Sequence, residues 1–175
     1  MPEARTVRIL RLLAVAAALL AVSCSKKETA ENKPETSQTK PESDGTSASA
    51  KPGWFTSYEL AQKEALSKNR LLLMDFTGSD WCGWCMKLNR EVFSRPEFKD
   101  YATKNLVLLE VDFPRAKVLP DSVKKQNQQL ANEYQVQGFP TIVVLDGEGH
   151  KVGELGYMEG GAPAFIAELE RIRKG

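Results

Sequence analysis

The chain is predicted to be an α/β protein with a central mixed β-sheet flanked by helices on both faces. Three observations predict it. Hydrophobic periodicity over residues 54–175 reads in the order α-β-α-β-α-β-β-α. The early apolar runs are separated by helical stretches, which implies parallel pairing through right-handed crossovers. The last two strands are joined by Asp146-Gly147-Glu148-Gly149, a tight turn that makes one pair antiparallel.

The first 53 residues stand outside that pattern. Arg5, Arg8 and Arg11 precede an uncharged run at 12–22. Such a run suits an export signal and falls short of the roughly 20 residues that span a bilayer. Leu20-Ala21-Val22-Ser23-Cys24 resembles a bacterial lipobox, although the position three before the cysteine is Ala21 and the Leu sits one further back. Ala21-Val22-Ser23 also fits a small-x-small cleavage site. Either route leaves Cys24 first in the mature chain, so lipidation at Cys24 is the preferred reading and plain secretion the alternative. Residues 25–53 contain no Val, Ile, Leu, Met, Phe, Trp or Tyr and balance five Lys against five acidic residues. They cannot bury enough apolar surface to offset the entropy of ordering. They read as a tether with a root-mean-square span of about 30 Å. The expected division is therefore a signal at 1–24, a polar linker at 25–53 and one domain at 54–175.

Within the domain, Thr56-Ser57-Tyr58-Glu59 opens like a capping box, with Thr56 as N-cap. Leu60, Ala61, Ala65 and Leu66 recur at helical spacing, so a helix runs to about Lys68. Residues 71–76, LLLMDF, form a short apolar run suited to a strand buried on both faces. A Gly-bearing loop leads to Cys82, from which Met86, Leu88, Val92 and Phe93 suggest a second helix, broken before Pro96. A short helix at 96–101 and a second strand at 106–111 follow. Residues 113–121 carry two Pro and read as a loop. Residues 122–134 are polar, with Val123, Leu130 and Tyr134 as one thin apolar stripe. The hairpin strands lie at 141–145 and 151–155. Phe165, Ile166, Leu169 and Ile172 define a closing amphipathic helix at 162–174.

Composition narrows the function. Residues 54–175 suffice for one core and not for two domains. Three cysteines in 175 residues exclude a disulfide-dense scaffold. The formal net charge is +1, and the signal segment alone carries more than that. No basic excess is left to neutralise phosphates, so nucleic acid is not expected as a partner.

The chemistry is concentrated in Trp81-Cys82-Gly83-Trp84-Cys85. A helix N-terminus offers unpaired N–H groups and about half a positive charge, so a thiolate placed there is stabilised and nucleophilic. At i and i+3 the second sulfur can reach the first, close a disulfide and expel a bound partner. Cys82 is expected to be the exposed attacker and Cys85 the buried resolver. A zinc site would want about four ligands, and the chain has a single histidine, His150, remote in sequence. A c-type haem site would need His where Met86 stands. A static disulfide would close a tiny loop of little entropic value. A copper(I) site of two thiolates plus Met86 is the remaining metal reading. Redox catalysis is preferred, with the Cys82–Cys85 disulfide as the redox centre and no separate cofactor or metal.

These residues carry a family resemblance. Residues 71–87, LLLMDFTGSDWCGWCMK, resemble the active-site strand, loop and helix start of thioredoxin-like proteins. Residues 134–141, YQVQGFPT, resemble the family's stretch that ends in a cis-proline before a strand. Asp146-Gly147 and Gly156 sit where the family has its hairpin turn and a glycine loop beside the site. The segment 91–98 is similar to periplasmic thioredoxin-like domains that relay reducing equivalents from membrane reductants.

The resemblance implies a thioredoxin-like fold and dithiol–disulfide exchange with protein thiols and disulfides, outside the cytoplasm and more in the reducing direction. A membrane electron donor would recharge it. An oxidase or isomerase, and a non-catalytic copper(I)-binding lipoprotein, are the alternatives. It implies that Asp75 is a buried carboxylate moving a proton on and off the second cysteine, although Asp75 stands seven residues before Cys82 where thioredoxin has six. It implies a cis Phe139–Pro140 bond opposite the cysteines, with the backbone at Phe139 free to pair with a substrate peptide. Trp81 matches the family's site tryptophan. Trp84 replaces the usual Pro between the cysteines and is expected to touch substrate. His150 is read as a solvated turn residue.

Overall fold

The computed structural model describes residues 51–175. The expected export signal, the lipid site at Cys24 and the tether up to residue 50 lie outside the described residues. Helix α1 spans Tyr58–Lys68, β1 Leu71–Thr77 and α2 Gly83–Leu88, which runs into a π-helical turn at Asn89–Phe93. Then come α3 at Pro96–Asn105, β2 at Leu106–Asp112, α4 at Asp121–Glu133, β3 at Thr141–Leu145, β4 at Lys151–Leu155 and α5 at Gly161–Lys174. Among the described residues no helix is long and apolar enough to cross a membrane.

The four strands form one sheet in the order β2-β1-β3-β4. β1 and β2 run parallel, with Asp75 beside Glu110. β3 is antiparallel to both β1 and β4. The sheet is mixed, as predicted, but with two antiparallel pairs instead of one. A helix between two strands permits a parallel crossover and does not compel one. Here α4 returns the chain so that β3 enters beside β1 in the opposite sense.

Alternation along the strands divides the core into two faces. Leu72, Met74 and Phe76 pack with Ala61 and Ala65 of α1 and Leu130 of α4. Leu73, Ile142 and Val144 pack with Leu88, Val92 and Phe93, with Phe98 of α3, and with Phe165 and Leu169 of α5. Phe165 meets Phe93 and Phe98 at centroid distances of 5.8 and 6.2 Å in edge-to-face contact. Since β1 lies inside the sheet, six of its seven residues are buried, as its apolar run requires.

Several local expectations shift by small amounts. Ser57, not Thr56, caps α1 by accepting the Leu60 N–H, and Asn69 ends it in the left-handed region at φ 49°. Only Ala61 and Ala65 of the α1 stripe are buried, while Leu60 and Leu66 are exposed. The second helix keeps its expected length but changes register at the π turn, where the Ser94 N–H reaches the Asn89 carbonyl at 2.8 Å. That wider turn lets Leu88, Val92 and Phe93 all face the core. The polar stretch of α4 is not wholly a solvated face. Asn127 is buried and donates to the Asp112 carbonyl, and Gln126 ties α1 to α4 through Tyr58 and Thr56.

Candidate active site

Strand β1 delivers the chain to the site, and a short loop turns it into α2. The Cys82 N–H donates to the Gly78 carbonyl at 2.9 Å, which closes this loop. Gly78 is required there, because a Cβ would fall 2.4 Å from the Trp81 ring. Cys82 is the N-cap of α2. Its backbone is extended and its Sγ accepts the Cys85 N–H at 3.2 Å. The sulfur thus takes the place of a capping oxygen and receives an otherwise orphaned donor. The two cysteines are joined as a disulfide, with Cα atoms 5.2 Å apart.

The expected contrast in exposure is absent. Cys82 is 7% exposed and Cys85 5%. With the sulfurs bonded to each other, each shields the other. What distinguishes them is position: Cys82 sits at the cap with the helix dipole behind it, and Cys85 lies within the first turn.

Aromatic groups flank the pair on two sides. Trp81 donates its indole N–H to the Phe113 carbonyl at 2.8 Å and meets Phe139 edge-on at 5.9 Å. Phe113 stacks on Phe139, and the Arg115 guanidinium lies 4.0 Å over the Trp81 ring. On the other side Trp84, the more exposed tryptophan, packs on Tyr157 at 5.1 Å, with the Lys87 ammonium over both rings. The Phe139–Pro140 bond is cis. Gly156 lies beside it, since a Cβ there would stand 3.8 Å from the Pro140 carbonyl. The loop at 113–121 is fastened to the site. Asp80 accepts the backbone N–H groups of Arg115, Ala116 and Lys117, and these bonds hold its carboxyl below the usual range. Ser79 donates twice to Asp112.

Asp75 is buried, at 2% exposure, on the sheet face that α2 and its π turn cover. Burial pushes its carboxyl above the ordinary value, against an opposing pull from Lys51. One carboxylate oxygen meets the Lys51 ammonium at 2.9 Å, and the other has no hydrogen-bond partner among the described residues. Glu110 is likewise buried, raised by burial, and 3.1 Å from Lys51.

The structure therefore gathers Trp81, Cys82, Trp84 and Cys85 on one loop and helix start. Trp81 touches Phe139 of the cis bond, and Asp75 lies on the sheet beneath α2. Sequence reasoning missed Lys51, Glu110, Arg115, Tyr157 and Asp80. The one signal for Glu110 was an acidic residue two before Asp112 in an otherwise apolar strand. His150 bonds Asp146 at 3.0 Å in the exposed hairpin turn, far from the cysteines in sequence.

The thioredoxin-like domain family matches residues 58–173, and the chain belongs to that family. With its Cys-Gly-Trp-Cys pair at a helix start, it is a thiol–disulfide oxidoreductase of the thioredoxin-like kind. Among its relatives, the disulfide bond reductase DsbH of Chlamydia pneumoniae is 35% identical over 127 residues, covering 73% of this chain and 76% of that protein. The thiol:disulfide interchange protein DsbD of Klebsiella pneumoniae is 33% identical over 114 residues, which are 63% of this chain but only 17% of DsbD. A solved DsbH oxidoreductase structure superimposes with a TM-score of 0.67 at 34% identity, covering 83% of this chain and 95% of that one.

Proposed function

We propose that the chain works outside the cytoplasm as a reductase of protein disulfides, held at a membrane by a lipid on Cys24 and recharged by a membrane electron donor. The observation that carries the chemistry is the Cys82 sulfur at the N-cap of α2, with the Cys85 N–H aimed at it. A Cys82 thiolate keeps that donor and the helix dipole, which lower its proton affinity. It attacks a target disulfide, and one target sulfur leaves as thiolate. Cys85 then gives its proton to Asp75 and attacks Cys82 Sγ, and the second target sulfur leaves. Two electrons pass to the target, and the pair is left as the disulfide.

An extended target segment would pair with the backbone at Phe139 beside Pro140, strand against edge, while Trp81 and Trp84 supply flat apolar walls. The reducing direction is supported by similarity to a relative named as a disulfide bond reductase, three quarters of which this chain covers. Compartments outside the cytoplasm are oxidising, so such a reductant needs an outside source of electrons. The export and lipid readings rest on residues 1–24.

Direction is tested by equilibrating the Cys82–Cys85 couple against a glutathione buffer, beside an insulin-reduction assay. A potential below about −230 mV supports the reductase, and one near about −120 mV makes the chain an oxidant. For the anchor, labelled fatty acid should enter the wild type and not Cys24→Ala. No label, or label in both, would remove the lipid from the account.

A further inference from the structure

We propose that Lys51 is a positioning residue for the thiol chemistry: its ammonium, held between Asp75 and Glu110 beneath α2, keeps one of the two carboxylates anionic and able to take the Cys85 proton. This rests on the reading of Cys85 as resolver and Asp75 as its base.

Composition places Lys51 in the polar tether, yet its side chain enters the fold. It meets Asp75 at 2.9 Å and Glu110 at 3.1 Å. Those residues are register partners on neighbouring parallel strands, so their side chains share one face of the sheet. The ammonium also lies 4.7 Å from the centre of the Trp54 ring and 5.5 Å from that of Phe93. Phe93 belongs to the π turn that continues α2. The placement is enforced by the chain. The Trp54 N–H donates to the Lys51 carbonyl, Trp54 is buried against Phe93, and Phe55 bridges β2 through the Leu108 carbonyl and the Glu110 N–H.

Charge counting gives the consequence. Two buried carboxylates beside one ammonium are neutral when they hold a single proton between them. One carboxylate is then free to accept a proton, and the unpartnered oxygen of Asp75 is a place for it. Without the ammonium, both carboxylates would hold protons to higher pH. Burial alone would depress the lysine, but the two carboxylates outweigh it and raise it above the ordinary value, so it stays charged. The other groups facing this set are few. β2 adds Asp112, which is bonded to Ser79. β3 presents apolar Ile142 opposite Asp75, the π turn presents Val92 and Phe93, and α2 carries the cysteine pair. In the step itself the Cys85 S–H bond breaks and its proton passes to the Asp75–Glu110 pair. The Cys85–Cys82 bond forms, and the bond from Cys82 to the target sulfur breaks, that sulfur leaving with the electron pair as thiolate.

The test uses the full chain with Cys24→Ala as background, reduced and then mixed with Ellman's reagent. The first thionitrobenzoate released reports attack by Cys82, and the second reports resolution by Cys85. Lys51→Gln should slow the second phase about tenfold on the acid side of neutrality and approach the parent rate as the pH is made alkaline. Lys51→Arg should restore the profile, and Glu110→Gln should move it toward lower pH. A uniform slowing at every pH, or no change in Lys51→Gln, overturns the proposal. If Lys51→Gln does not fold, Glu110→Gln decides: an acid shift supports it and an unmoved profile overturns it. A parent chain that releases no second thionitrobenzoate overturns the active-site reading itself.

Discussion

Replacing Asp75 by Asn should make the protein more stable at neutral pH while slowing its chemistry. Asp75 is buried, and burial raises its carboxyl above the ordinary value even though Lys51 pulls the other way. A carboxyl that binds its proton more tightly in the folded chain than in the unfolded one costs stability whenever it is ionised. The sign follows from linkage. Above the unfolded value, near about 3.9, the native state holds the extra proton, so stability falls as pH rises until the folded value is passed. Asn carries no charge at any pH and escapes this loss. Lys51 keeps Glu110 at 3.1 Å, so the variant exchanges a crowded acidic set for a neutral buried pair. Each tenfold difference in proton affinity is worth about 1.4 kcal/mol, so a gain set by the upward shift is expected at pH 7, vanishing below about pH 4. For a domain of this size each such step is roughly 4–8 °C in midpoint. Thermal unfolding of the oxidised protein from pH 3 to 8 reads it directly. A variant that is less stable at pH 7, or a gain as large at pH 3.5 as at pH 7, would refute the reasoning, because packing and not ionisation would then be responsible.

Four further substitutions probe the site and its support. Cys82→Ala should abolish insulin reduction, and Cys85→Ala should accumulate a mixed disulfide with the target, visible on a non-reducing gel. Trp81→Phe removes the donor to the Phe113 carbonyl and should cost about 1 kcal/mol in denaturant unfolding while raising KM more than it lowers kcat. Phe165→Ala empties the junction of Phe93 and Phe98 and should cost about 3–5 kcal/mol, read from the same unfolding curves.

What could be read from the sequence, and what could not, follows the range of the interactions involved. Strand β1 was legible because six consecutive apolar or buried positions leave few alternatives, and the hairpin because its turn residues are adjacent. The cysteine pair was legible for the same reason: cap, first turn and both sulfurs lie within four residues. The antiparallel entry of β3 was not, since periodicity reports a strand and not its direction. The cap of α1 slipped by one because Thr56 and Ser57 are both competent, and the choice depends on Gln126, which holds the Tyr58 N–H and the Thr56 carbonyl from 70 residues away.

The polar network under the site was the least legible part, and its physics explains why. A lysine in a stretch of Lys, Ser, Pro and Glu carries no local sign that it will be buried; only the Trp54 anchor three residues later distinguishes Lys51 from the four lysines before it in the tether. Glu110 in β2 looks like a solvent-facing position until its register with Asp75 turns it onto the covered face. Each residue alone would be an unpaired charge in an apolar layer, costing several kcal/mol. Together they are tolerable, and each is intelligible only through the others. Residues that make sense only as a set, drawn from three separate segments, escape a reading that proceeds by neighbours. By the same logic, the segment that contributes to this buried set begins at Lys51, ahead of the domain's first large hydrophobic residue, Trp54.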